Sequence, residues 1–373
     1  MSDGIIGPTQ KRNLPERIRL FLRGCVSSHL NIALTLVVLS AAAWALPGLI
    51  RWSFTDAVWS GTSGKDCAGH DGACWIFLRA RAEQLLFGTY PAAERWRVGA
   101  AALIGVAAPV MLVTWRRLLA LPIIGAILIG CAAAIGILLY GGLFGLPVVP
   151  TNRWGGAILT VIIAAWAIAT ALPLGLALAL ARRSELPVVS SIAAGFIDLV
   201  RSLPLIGILF LMIVMFPLFV PAGVETDKLL RVLIAFTVYN AANFAEVFRG
   251  GLQAIPHGQT EAGWGLGLSK WRATALIVIP QAIAISVPAA VNLCIAIIKE
   301  TTIVVILGLF DFVGVLQAGI ADPDWLMAES VRTTSYVFAA LVFWVVCFGL
   351  SRYSLTLEKR NPLSIARNAA LVD

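Results

Sequence analysis

The sequence predicts an all-α, polytopic integral membrane protein of about eight transmembrane helices, with both termini cytoplasmic. Three observations lead there. The 373 residues are 59% hydrophobic and only 13% charged, whereas soluble domains are about a quarter charged. Mean hydropathy is +0.89. Uncharged runs recur at 30–50, 154–181 and 273–298, and roughly 20 apolar residues suffice for a helix to cross a core of about 30 Å.

The predicted spans are 30–50, 97–115, 119–141, 155–181, 188–219, 229–249, 276–298 and 333–352. The first follows a basic leader. It has no small-residue cleavage site followed by a polar mature domain, so it reads as a retained span. Basic residues set the orientation, since cytoplasmic loops collect Lys and Arg. With the N-terminus inside, the inner segments hold Lys11, Arg12, Arg17, Arg19 and Arg23; Arg116 and Arg117; Arg182 and Arg183; Arg249, Lys270 and Arg272; and Arg352, Lys359, Arg360 and Arg367. Loop 51–96 is the exception. Its Arg51, Lys65, Arg79, Arg81 and Arg95 are accompanied by Asp56, Asp66, Asp71, Glu83 and Glu94, and it stays outside because the rule weakens for long loops. The net charge of +8 therefore points to membrane lipid and loop anchoring, not to nucleic acid.

Residues 1–150 read as an N-terminal extension with a cytoplasmic leader, three spans and a periplasmic loop. Residues 151–373 hold the other five spans, after a connector containing Pro147 and Pro150. Residues 303–320 are apolar and broken by Gly308, Gly314, Gln317 and Gly319. A ninth span there would put the basic tail outside, so a re-entrant or surface element is expected instead.

Signals for catalysis are missing. Gly64-Lys65 looks like the end of a P-loop, but Trp59 stands where the first Gly belongs and Asp66 where Ser or Thr is needed. His29, His70 and His257 are far apart, so no metal site is expected. Cys25, Cys131, Cys294 and Cys347 lie in or beside apolar spans and act as small hydrophobes. Cys67 and Cys74 share the polar loop. If it is extracytoplasmic, the compartment permits a disulfide between them.

Intramembrane charge is the stronger lead, because it is costly and usually functional. Asp198 and Arg201 stand three apart on the fifth span, so they share a face and can pair. They form either a structural ion pair or part of a substrate route, with Ser202 beside them. Pro204 and Pro217 bend the same span. Glu246 and Arg249 repeat the spacing, after Asn240 and Asn243. Either Arg249 snorkels and Glu246 neutralises it, or Glu246 and Asn243 face the pathway. Lys299 and Glu300 follow the seventh span.

Residues 261–280, EAGWGLGLSKWRATALIVIP, interrupt the apolar pattern. Trp264, Leu266, Leu268 and Trp271 are separated by Gly263, Gly265 and Gly267. This predicts a short amphipathic helix, a turn at Gly267 and a second helix from near Ser269. Such an element on the inner face is either a docking surface for a soluble partner or an interfacial helix without one.

Glu261-Ala262-Gly263, three residues, Gly267, nine residues, then Ile277-Val278-Ile279-Pro280 resembles the EAA signature of ABC importer permeases. Gly263 replaces the second Ala and Ile279 the usual Leu. The neighbouring GGLQAIPHGQ, PQA, KETT (for KDTS) and RSLPL (for RGTPL) resemble the polar amino-acid, histidine-permease-like branch over about 151–360. ACW and FGTYPAAERWR in the extension are similar to the M subunit of the bacterial general L-amino-acid transporters.

The resemblance implies a five-helix type I permease core in the bacterial inner membrane, moving L-amino acids inward by alternating access. It implies an ATPase dimer that binds ATP and Mg, so this chain holds no cofactor and is not itself an enzyme. It also implies a second, paralogous permease chain and a periplasmic amino-acid-binding protein. Glu261, Ala262, Gly263, Trp264, Leu266, Gly267 and Pro280 would couple to the ATPase. Arg201 would meet the substrate carboxylate and Asp198 or Glu246 its ammonium, since a zwitterion leaving water needs both charges compensated. Ser202, Asn243 and Glu300 complete the expected pathway. The alternatives are a self-contained secondary transporter or channel, or a membrane scaffold; neither needs the EAA loop.

Overall fold

The computed structural model describes Arg19 and residues 22–115, 121–221 and 223–360. Lys11, Arg12, Arg17, Arg116, Arg117 and Arg367 of the expected positive-inside pattern lie outside the described residues. Helices account for nearly all the regular structure. In chain order they are α1 (His29–Ile50), α2 (Trp75–Phe87), α3 (Arg95–Trp115), α4 (Leu121–Tyr140), α5 (Gly156–Arg182), α6 (Pro187–Ser202), α7 (Leu205–Phe210) and α8 (Lys228–Gln253). There follow α9 (His257–Gly265), α10 (Lys270–Leu307, a continuous run of α, π and 3-10 turns), α11 (Phe312–Ile320) and α12 (Glu329–Arg360).

Five helical stretches among the described residues are long and apolar enough to cross a membrane: His29–Thr55, Ile123–Tyr140, Gly156–Arg182, Lys270–Leu307 and Glu329–Thr356. Pro187–Ser202 with Leu205–Phe219 makes a sixth if that pair, bent by 101°, is one span. The other two expected spans are the helices α3 and α8. The break in the fifth span has a local cause. Pro204 forbids helical backbone at the residue before it, and Leu203 is extended at φ −94 and ψ 139. Residues 303–320 are not a ninth span. Gly308 adopts φ +72 and ends the 3-10 turn, and the nine-residue α11 rises only about 14 Å.

The chain divides into two units, residues 1–77 with 324–334, and residues 78–323 with 335–373. In the first, Cys67 and Cys74 form a disulfide with Cα atoms 5.9 Å apart. Trp59 stacks between Phe54 and Trp75. The 324–334 segment is pinned by Gly64 N–H donating to the Asp324 carbonyl, by Cys74 N–H donating to Thr334 Oγ1 at 2.9 Å, and by Trp325 edge-on to Phe77.

The second unit is built on α5 and α8. Lipid gives helices no hydrophobic reason to associate, so close packing through small residues must do it. Ala164, Ala167, Ala171, Gly175 and Ala179 line the buried face of α5 at intervals of three or four. Opposite them lie Ala241, Phe244 and Ala245 of α8. A Cβ on Gly175 would come within 2.5 Å of Phe244 Cβ and 2.9 Å of the Ala241 carbonyl. The segment between α10 and α11 is fastened to the start of α5. Gly156 N–H donates to the Phe310 carbonyl at 2.9 Å, Phe312 N–H donates to Thr160 Oγ1 at 3.1 Å, and the fully buried Asp311 caps α11 by accepting from Gly314 N–H.

Gly175→Ala should therefore destabilise the chain by about 1–3 kcal/mol, while Gly195→Ala, with nothing within 4 Å of its added Cβ, should not; detergent thermal unfolding compares them. A pH effect is expected in the first unit. Thr62 and Ser63 N–H groups donate to Asp66 and hold its carboxyl below the usual carboxylate range. The order this lends the loop is present above about pH 4 and is lost as pH falls through the lowered native value. Limited proteolysis of loop 56–74 across an acid titration should show it, and Asp66→Asn should remove the dependence.

Candidate functional site

Charged side chains converge where α5, α6 and α8 meet. Arg182 at the end of α5 pairs with Asp198 of α6 at 3.0 Å. Arg201 of α6 pairs with Glu246 of α8 at 3.6 Å. Glu246 also accepts from Arg249 Nε at 2.8 Å, and Arg249 donates onward to Gln253 at 2.6 Å. Arg183 ties the same ends together by donating to the Leu252 carbonyl at 3.1 Å.

The pairing differs from the expectation within α6. Asp198 and Arg201 share the helix but not each other: each reaches across to a different neighbour. An i,i+3 spacing permits a pair, but packing brings each of them a partner from a neighbouring helix. Arg182, read from sequence only as a cytoplasmic anchor, is thus part of the cluster.

The remaining candidates are less uniform. Ser202 Oγ donates to the Leu199 carbonyl, so its hydroxyl serves its own helix. Asn243 Nδ2 donates to the Tyr239 carbonyl at 3.0 Å. Glu300 is half-buried, and its Oε2 is buried without a hydrogen-bond partner. Tyr239 lies within electrostatic reach of both Glu300 and Arg201. It was missed in the sequence, although its place one turn before Asn243 put it on the same face.

The cluster is not sealed. The Arg201, Glu246 and Arg249 side chains are 40%, 26% and 30% exposed, and Asp198 is 60% exposed. Such pairs are weak and exchange partners readily.

The second feature is the loop between α8 and α10. Helix α9 ends in a Schellman cap. Leu268 N–H donates to the Gly263 carbonyl and Gly267 N–H to that of Trp264, with Gly267 left-handed at φ +77. Ser269 precedes the first helical residue of α10. Gly263 is buried, and a Cβ there would already lie 3.0 Å from Ile277 Cδ1 and 3.1 Å from Ala273 Cβ. That contact gives a physical reason for Gly in place of the EAA alanine. Glu261 and Ala262 are exposed. Trp264, Leu266 and Trp271 are 51%, 80% and 81% exposed. Three large apolar side chains thus stand open on one short loop, as a docking surface or an interfacial helix would have them. Pro280 follows a π turn over Thr274–Val278, inside the uninterrupted run of α10. The loop is thus the direct start of a 38-residue helical rod.

The P-loop-like stretch makes no phosphate cradle. Gly64–Asp66 is a 3-10 turn whose carboxylate takes the Thr62 and Ser63 amides that an anion would need.

The described residues thus form a bundle of long apolar helices with a proline-broken pair, charges where three helices meet and an exposed glycine-turned loop. Residues 171–361 match the family described as binding-protein-dependent transport system inner membrane component, and the chain belongs to that family. It is 42% identical to the inner membrane amino-acid ABC transporter permease protein YhdY of Escherichia coli, over 90% of each chain. It is 33% identical to the glutamate/glutamine/aspartate/asparagine transport system permease protein BztC of Rhodobacter capsulatus, over 90% of this chain and 91% of that one. With the glutamate/aspartate import permease protein GltK of Escherichia coli it shares 28% identity over 55% of this chain but 92% of that one. The protein is a multi-pass inner-membrane subunit of a transport system.

A double-mutant cycle on Arg201→Met and Glu246→Gln should return a coupling below about 1 kcal/mol, as expected for an exposed pair. A coupling of several kcal/mol in thermal unfolding would mark a fixed structural bridge instead.

Proposed function

We propose that this chain carries L-amino acids from periplasm to cytoplasm, driven by a separate ATPase dimer that docks on the α9–α10 loop. The observation that carries this reading is the loop itself: apolar, exposed, held by a glycine-dependent cap and continuous with α10. ATP and Mg belong to the partner, and this chain supplies no catalytic residue or cofactor. Glu261, Ala262, Gly263, Trp264, Leu266 and Gly267 form the contact, and Pro280 lies at the start of the moving span. Closure of the ATPase dimer pushes the loop, α10 follows, and the bundle switches between two packed states.

The amino-acid class follows from charge, and the relatives' names agree with it. A zwitterion brings one carboxylate and one ammonium. Arg201 and Glu246 offer the matching charges on a pair loose enough to open, and Asp198 can exchange Arg182 for an ammonium. Asn243 and Glu300 continue the route, with Tyr239 between them; Ser202 lines it, its hydroxyl proton already given to the Leu199 carbonyl. A second permease chain, different from this one but paralogous to it, completes the pore, and a periplasmic amino-acid-binding protein delivers the substrate.

Gly267→Leu tests the coupling. A leucine in the left-handed region costs about 1–2 kcal/mol and unseats the cap. Uptake of labelled amino acids into proteoliposomes holding the full complex should fall at least tenfold, with membrane insertion unchanged and ATPase pull-down weakened. Undiminished uptake would overturn the docking role. Uptake by the chain alone, driven by an ion gradient without ATP, would establish the secondary-transporter reading instead.

A further inference from the structure

A cavity of about 690 Å³ lies at the end of α5, α8 and α10 opposite the α9–α10 loop. That is within the usual range for small-molecule sites. Its walls come from four places: Gln84 of α2 with Gly88 and Thr89 just after it, the stretch from Pro150 before α5, Asp227 to Leu229 at the start of α8, and Gly308 to Phe310 with Val315 and Ala318 of α11. The first of these belongs to the extension.

The extension wall is fixed to the bundle. A Cβ on Gly88 would meet the Gly155 backbone at 2.4 Å, and one on Gly156 would meet the Leu85 carbonyl at 2.5 Å. Gly88 and Gly156 have φ +60 and +63. Both positions therefore require glycine twice over, by conformation and by space. Thr89 Oγ1 donates to the Arg153 carbonyl at 3.0 Å, closing the same corner.

Lys228 brings the charge. It is half-buried, and it forms no ion pair with any described residue. Its Nζ lies over the left-handed turn at Gly308, 3.3 Å from where a Cβ would stand. Asp227 is next to it in the wall. Its two oxygens accept from Leu230 N–H and the Thr151 hydroxyl, one bond each. An ionised carboxylate has about four acceptor positions, so Asp227 keeps room for an ammonium. Trp154, Leu229, Leu309, Phe310 and Val315 give the rest an apolar lining.

We infer that this cavity is an outer subsite for a free amino acid, with Lys228 taking the carboxylate, Asp227 the ammonium and the extension closing one side. It is separate from the Arg201–Glu246 pair at the inner ends of the helices. The inference rests on the amino-acid reading above. The subsite gives the extension a task that the coupling loop and the inner pair leave open: holding substrate at the mouth before the bundle switches.

The test is equilibrium binding to the full chain in nanodiscs, with radiolabelled L-glutamate, L-glutamine, L-leucine and L-arginine presented singly. In an Arg201→Ala background, bound label should remain. Adding Lys228→Gln should weaken the best-bound probe at least fivefold, and Lys228→Arg should restore it to within about twofold. Ala318→Trp, which fills the cavity, should act like Lys228→Gln; thermal unfolding reports whether each variant is folded. Residual binding indifferent to Lys228→Gln overturns the subsite and leaves the transport reading standing, as does loss of all binding with Arg201→Ala alone. Failure of the wild-type chain both to bind any of the four probes and to import them within the full complex overturns both.

Discussion

The close approach of α5 to α8 is the constraint on which the rest depends. It exists because Gly175 and its alanine neighbours let two backbones meet where lipid offers no other driving force. One residue's worth of extra volume at Gly175 would separate the helices. Their registration places Arg182 and Arg183 beside the inner ends of α6 and α8. It also brings the stretch before α5 against the start of α8, where the Thr151 hydroxyl meets Asp227 in the lining of the outer cavity. Inner charge cluster and outer cavity are therefore two consequences of one contact.

Proline and glycine then decide where the bundle departs from straight helices. Pro204 breaks the fifth span just after Ser202, so Arg201, which pairs with Glu246 of α8, stands in the last turn before the break. Gly308 turns the chain into the re-entrant helix, which Thr160 and Asp311 hold against α5. Gly267 turns it at the loop. Each departure uncovers polar backbone or charge, and such groups persist in a bilayer only where they are paired or line a route. The ion pairs found are partly exposed and therefore exchangeable, as a proposed pathway for a charged solute requires.

Much of this was legible in the chain because period and punctuation act locally. The α9 helix, the Gly267 turn and the restart at Ser269 could be read from spacing alone. So could the span broken at Pro204 and the short element after Gly308. Partner choice was not legible. Asp198 and Arg201 carry the right spacing to pair, yet Arg182 and Glu246 take them, because side-chain partners across helices depend on rotation and registry that no local pattern records. Tyr239 was missed for the same reason, and the outer cavity could not be foreseen because its walls lie more than two hundred residues apart in sequence.

The central proposal is that the loop and α10 move as one rod when the partner ATPase acts. The most direct measurement is a pair of spin-label distances in the assembled complex, with and without trapped nucleotide, in a background lacking the free cysteines Cys25, Cys131, Cys294 and Cys347. One pair joins Ser269, at the loop end of the rod and outside the proposed contact, to Ile306 at its other end; the other joins Ser269 to Leu174 on α5. All three side chains are exposed and accept a label. The account predicts that the first distance stays constant while the second shifts by several ångströms. A first distance that changes while the second holds would mean that the loop flexes alone, and would contradict it.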